Sequence, residues 1–118
     1  MERSPADVYA EHCRQRELAY QVDPEGRPVF RPRVGYEAWR VSAGRGTVYS
    51  TSVARPRGSD AYNVALIDLD EGFRMMSRVV GLAPEDVTIG LRVRLAWEDG
   101  DDREAPPVPV FEPQEPRA

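Results

Sequence analysis

The sequence predicts a mainly β fold, a small five-stranded barrel preceded by one N-terminal helix and a short hairpin. Three observations point there. Only the first segment spaces its apolar residues at helical intervals. From Trp39 onward, β-branched and aromatic residues recur with a period of two. Turn-forming clusters cut that second region into strands of four to eight residues, each too short for an ordinary helix.

Ser4-Pro5-Ala6-Asp7 reads as a helix start. Ser4 can cap, Pro5 suits the first helical position, and Asp7 faces the positive end of the dipole. Tyr9, Cys13 and Tyr20 then share one side, and a helix is expected from Pro5 to Glu17. Leu18–Val22 and Val29–Phe30 flank Asp23-Pro24-Glu25-Gly26, a four-residue turn in which proline presets φ and glycine tolerates a positive one. The pair predicts a hairpin, and an isolated two-stranded hairpin is barely stable in water.

Beyond Trp39, Thr47 to Val53 alternates as a strand. Tyr62–Leu69 (YNVALIDL) is apolar at both parities, as in a strand buried on both faces, and Asp70-Glu71-Gly72 turns it back into Phe73–Val80. Met75 and Met76 fall on opposite faces. Ala83-Pro84-Glu85-Asp86 suits a single helical turn, and Leu91 to Trp97 alternates as a strand with one wet face. Residues 98–104 form an acidic loop. Residues 105–118 hold five prolines and are expected to be extended, with Val108, Val110 and Phe111 able to add an edge strand. Five short strands with one helical turn before the fourth suit a barrel of the OB type. The expected organisation is residues 1–38 as helix plus hairpin, 39–113 as barrel, and 114–118 as a disordered tail.

At 118 residues the chain can bury a core without metals or disulfides. Cys13 is its only cysteine, so intramolecular disulfides and a thiolate zinc cage are excluded. The opening MERSPADVYA has no basic region followed by an apolar core, and no apolar run approaches the ~20 residues of a membrane span. A cytoplasmic protein without membrane contact is expected. All 16 basic residues are arginine, and charge is uneven: residues 1–59 carry ten Arg against seven acids, residues 60–118 six against thirteen. The acidic total disfavours general nucleic-acid binding, which draws its affinity from phosphate neutralisation.

Constellations for catalysis are nearly absent, and no catalytic residue, metal site or cofactor is expected. His12 is the only histidine. Its neighbour Cys13 points about 100° away on a helix, so the two do not face each other. Asp99, Asp101 and Glu104 lack the spacing of a calcium loop. Gly44-Arg45-Gly46 precedes a strand rather than a helix, which fails the context of a dinucleotide fingerprint and suits a tight bend into the barrel. Tyr49, Phe73, Arg74 and Arg78 would be the contacts of an alternative reading, an OB-fold single-stranded nucleic-acid binder.

Val41–Val53 (VSAGRGTVYSTSV), Tyr62–Gly81 (YNVALIDLDEGFRMMSRVVG), Pro84–Val93 (PEDVTIGLRV) and Pro109–Pro113 (PVFEP) carry a familiar pattern, and Arg27–Arg33 (RPVFRPR) behind a helix fits it too. As a set they resemble the zinc-ribbon/OB-fold accessory proteins that accompany thiolases and thiolase-like aldolases of acyl-CoA metabolism. The resemblance covers nearly the whole chain. It departs where members carry two C-x-x-C knuckles: Val22-Asp23-Pro24-Glu25 stands for the first, and only Gly35-Tyr36-Glu37-Ala38 remains of the second. The resemblance thus implies a rubredoxin-like hairpin that has lost its zinc, a metal that in zinc-finger peptides couples ~10–16 kcal/mol of binding to folding. Apolar burial, against the barrel and a partner, is expected to hold the arm instead. The implied function is a non-catalytic subunit of a thiolase-fold enzyme (thiolase, thiolase-like aldolase or ketosynthase) acting on acyl-CoA thioesters, in a hetero-oligomer. Tyr20, Val29, Phe30, Tyr36 and Trp39 are the expected interface, with Arg31, Arg33 and Arg45 toward acidic partner groups or CoA phosphates.

Overall fold

A computed structural model describes residues 4–100 and 104–114. The helix α1 spans Pro5–Arg14, and the Ser4 hydroxyl accepts from the Asp7 N–H at 3.1 Å. It stops three residues short of the expected Glu17. Arg16 adopts a left-handed φ of 59°, the Arg16 N–H donates to the Cys13 carbonyl, and the Glu17 N–H reaches back to the His12 carbonyl. That is a Schellman termination built without glycine, which is why the sequence carried no stop signal there.

β1 (Ala19–Val22), β2 (Pro28–Val29) and β3 (Ala38–Val41) form an antiparallel sheet in the order β2-β1-β3. The β1–β2 hairpin and its turn are as read from the sequence. The Asp23 carboxylate accepts from the Glu25 and Arg27 N–H groups at 2.9 and 2.8 Å, and Gly26 takes φ 85°. β3 is the correction. Trp39, expected to begin the barrel, pairs opposite Gln21 and gives the hairpin a third strand.

β4 (Arg45–Ala54), β5 (Tyr62–Leu69), β6 (Arg74–Ser77), β7 (Arg92–Glu98) and β8 (Val108–Pro113) make the second sheet, ordered β6-β5-β4-β7-β8. A 3-10 turn, Pro84–Asp86, precedes β7. A parallel bridge between Val79 and Phe111 closes β8 onto the end of the β6 segment. This is a curled five-stranded sheet of OB type. A bulge between Val48 and Ser50 breaks the alternation of β4 and sharpens its bend. Gly46 lies in the same strand where a Cβ would stand 2.5 Å from the Asp68 carbonyl oxygen, so no larger residue fits against β5.

One expectation about the barrel changes. β5 is not buried on both faces: Asn63, Ala65, Ile67 and Leu69 point in, while the alternate residues are half-exposed and Tyr62 is exposed. Its outer face is apolar without being covered. β8 is the edge strand expected from Val108, Val110 and Phe111, and it buries Phe111 completely. Residues 101–103 of the expected acidic loop 98–104 and residues 115–118 of the expected tail 114–118 lie outside the described residues, whereas Gln114 is ordered and donates its N–H to the Arg92 carbonyl at 3.0 Å.

One continuous core joins both sheets. Phe73 of the barrel stacks on Tyr20 at 4.7 Å and on Phe30 at 5.3 Å, and Tyr9 of α1 meets Phe30 edge-on at 5.7 Å. Helix, hairpin and barrel therefore share one aromatic stack. The connection between the sheets is clamped as well. Glu71, in the β5–β6 turn, accepts from the Ser42 hydroxyl at 2.7 Å and the Ala43 N–H at 2.8 Å.

Candidate functional site

The loop from Phe30 to Glu37 joins β2 to β3 and carries half of the residues predicted to meet a partner, Phe30, Arg31, Arg33 and Tyr36. Its conformation is set from beneath by Gln21, whose side chain is fully buried in β1. The amide nitrogen donates to the carbonyls of Arg33 (2.9 Å) and Tyr36 (2.8 Å), and the amide oxygen accepts from the Arg33 N–H at 2.6 Å. One side chain thus satisfies three backbone groups of an otherwise exposed loop. Sequence reasoning passed over Gln21. A polar residue at a buried strand parity was its only signal.

Held this way, the loop displays Arg31, Arg33 and Val34, the last 90% exposed, with the Tyr36 ring half-buried behind them. Val29 is half-buried on β2. Trp39 is half-buried and stacks on His12, ring centroids 6.0 Å apart, while the His12 Nδ1 lies 3.0 Å from a Glu17 carboxylate oxygen. Val41, at the end of β3, is exposed. Arg31, Arg33 and Arg45 form no ion pair among the described residues; the Asp70 carboxyl is held below its usual range by hydrogen bonds from Arg92 first, with the charge of Arg45 adding least. The surface presents apolar side chains beside unneutralised guanidinium groups, a composition suited to protein contact.

Two predicted contacts fall elsewhere. Tyr20 is 5% exposed and belongs to the core, and the Phe30 ring turns inward between Tyr9 and Phe73. Both support the surface from below. The aromatic character that recommended them as contacts is consumed in joining arm to barrel.

The nucleic-acid contacts are likewise spent. Phe73 is buried. Arg74 lies 3.4 Å from the centre of the Tyr49 ring and pairs with Asp68, and Arg78 pairs with Glu98. A face whose ring and cations already engage one another has little left for stacking bases or neutralising phosphate.

Burial pushes both the Cys13 thiol and the Tyr9 phenol up from their ordinary values. Cys13 is 2% exposed, so packing is its role. Among the described residues, no three His, Cys, Asp or Glu side chains converge as metal ligands would, and no helix is long and apolar enough to cross a membrane.

An OB-type barrel bearing a clamped three-stranded unit with an exposed apolar and arginine-rich loop defines the class, an OB-fold protein with an N-terminal arm. The chain belongs to the family of the ChsH2 C-terminal OB-fold domain, whose model matches residues 39–98. It is 34% identical over 99 residues to a DUF35 domain-containing scaffold protein of Methanocaldococcus jannaschii, covering 76% of this chain and 70% of that one. It is 38% identical over 92 residues to a probable enoyl-CoA hydratase alpha subunit of Thermomonospora curvata, covering 73% of this chain but 28% of the relative. A 3-oxo-4,17-pregnadiene-20-carboxyl-CoA hydratase alpha subunit of Mycobacterium tuberculosis is 39% identical over 66 residues, 21% of its length. The chain therefore spans under a third of either hydratase subunit. Among solved structures, a chain of the Ltp2-ChsH2(DUF35) aldolase superposes with a TM-score of 0.77 at 32% identity, over 96% of both chains.

Proposed function

We propose that this chain is a non-catalytic accessory subunit that docks on a thiolase-fold enzyme (thiolase, thiolase-like aldolase or ketosynthase) acting on acyl-CoA thioesters, and aids its assembly. The observation that carries the reading is the end-to-end match to a chain of the Ltp2-ChsH2(DUF35) aldolase, over 96% of both chains. The chemistry of this chain agrees: its single histidine is engaged by Glu17 and Trp39, and its single cysteine is buried. We place the docking surface on Val29, Val34, Tyr36, Trp39 and Val41. Arg31, Arg33 and Arg45 face acidic groups of the enzyme or the phosphates of its CoA substrate. In this reading the arm is a ribbon without its metal, and the Asp23 turn and the Gln21 clamp hold the two loops that the cysteine knuckles hold in its relatives.

Co-expression with a thiolase-fold enzyme of the same genome, followed by size-exclusion chromatography with light scattering, tests the proposal. A stable hetero-oligomer is expected, weakened at least tenfold by Val34→Asp or Trp39→Ala. A monodisperse monomer with no affinity for that enzyme would overturn it.

A further inference from the structure

β3 is an open sheet edge. In the order β2-β1-β3 it has one neighbour, and its four residues hold no proline and no bulge to blunt the outer side. The opposite edge of the same sheet is blunted, because β2 is two residues long and begins with Pro28. The register fixes which groups of β3 face outward. The Ser42 N–H donates to the Leu18 carbonyl at 2.8 Å, and the pairs Tyr20–Arg40 and Val22–Ala38 follow at steps of two along the same antiparallel ladder. Hydrogen-bonded and non-hydrogen-bonded pairs alternate in such a ladder, so Ala38 and Arg40 spend their backbone groups on β1 while Trp39 and Val41 turn theirs away. Among the described residues, the N–H and C=O groups of Trp39 and Val41 have no hydrogen-bond partner.

Side chains along this edge differ by face. Trp39 pairs opposite Gln21, so Trp39 and Val41 share the face on which Gln21 holds the Arg33–Tyr36 loop, and Val41 is 49% exposed. Arg40 lies on the other face, exposed and without an ion pair among the described residues. A strand laid along this edge would meet apolar side chains at one parity and a guanidinium at the other. A second copy of the chain fits poorly. The two-fold register in which Trp39 and Val41 of both copies exchange all their outward bonds sets Arg40 directly against its own counterpart, and like charges across a strand pair repel.

We propose that β3 receives an extended strand of the thiolase-fold enzyme, with an acidic residue opposite Arg40 and apolar residues on either side of it facing Trp39 and Val41. The inference rests on the accessory reading above for the identity of the partner and deepens it. The loop supplies side-chain contacts, and the main chain of β3 supplies a row of hydrogen bonds.

Amide hydrogen exchange, read residue by residue on the full chain alone and in complex with a thiolase-fold enzyme of the same genome, tests it. In the free chain the Ala38 and Arg40 amides are expected to be protected and the Trp39 and Val41 amides to exchange quickly. In the complex the latter two are expected to slow at least tenfold. Val41→Pro removes one outward N–H and no bond to β1, a position where an edge strand tolerates proline. It is expected to weaken assembly at least tenfold, as is Arg40→Glu, whereas Val41→Ile and Arg40→Lys assemble like the parent. The exchange arm uses the parent chain and does not depend on the proline variant folding. Assembly in which Trp39 and Val41 exchange as fast as in the free chain overturns the strand inference and leaves the accessory role standing, and so does parental affinity in Val41→Pro. Failure to assemble at all removes the accessory role and the enzyme strand with it. Protection in the chain alone that rises with concentration, alongside the mass of a dimer, assigns the edge to a second copy and overturns the proposal.

Discussion

Replacing Gln21 by leucine keeps the volume and apolar packing of a fully buried strand position but removes three hydrogen bonds, to Arg33 N–H, Arg33 C=O and Tyr36 C=O. Each is worth ~0.5–1.5 kcal/mol net. Residues 31–35 are exposed and can regain water by lifting off the sheet, which tempers the sum. A loss of about 2–3 kcal/mol is expected, and with a urea m-value of ~1–3 kcal/mol/M the midpoint falls by about 1–2 M. Gln21→Glu separates hydrogen bonding from shape. One of its carboxylate oxygens would take the place of the amide nitrogen and face both the Arg33 and Tyr36 carbonyls in a buried site, so burial and repulsion raise its pKa. A raised native pKa means stability that is present below the unfolded value and lost as pH rises through the native one. The variant should therefore be worse than leucine at pH 7 and recover below about pH 5, where the neutral acid can donate to one carbonyl. Trp39 lies opposite Gln21 in β3 and reports on this sheet by fluorescence, with Trp97 of β7 replaced by phenylalanine to silence the barrel. A leucine variant whose midpoint lies within ~0.3 M of the parent would refute the clamp.

Phe73→Ala empties the centre of the stack with Tyr20 and Phe30 and is expected to cost ~3–5 kcal/mol by calorimetry or urea titration, with arm and barrel losing stability together. Glu71→Ala releases the Ser42 hydroxyl and the Ala43 N–H and should cost about 1–2 kcal/mol, with faster amide exchange at Ala43 and Gly44 by NMR. The backbone N–H of Arg27 and then the other donors of its turn hold Asp23 below the usual carboxylate range, and hydrogen bonds from Arg92 do the same for Asp70. Both native values are depressed, so this stability is present above the unfolded value near 4 and is lost as pH falls through the native ones. Urea midpoints should drop below pH 4, and the drop should be shallower in Asp23→Asn/Asp70→Asn.

The sequence by itself determined the element list. Ser4-Pro5 starts the helix, Asp23 to Gly26 turns the hairpin, and period-two apolar residues mark the barrel strands, because caps, turns and strand parity are local chemistry. It also determined that the one histidine and the one cysteine are neighbours on a helix and point about 100° apart. Tertiary structure alone decided which aromatic residues would be spent inside. Tyr20 and Phe30 read like contact residues until Phe73, more than forty residues away, stacked on both. It decided too that Trp39 would join the hairpin and that Gln21 would hold a loop a dozen residues distant. No residue announces a partner so far along the chain. Such pairings exist only once the backbone has brought the two ends together and closed them off from water.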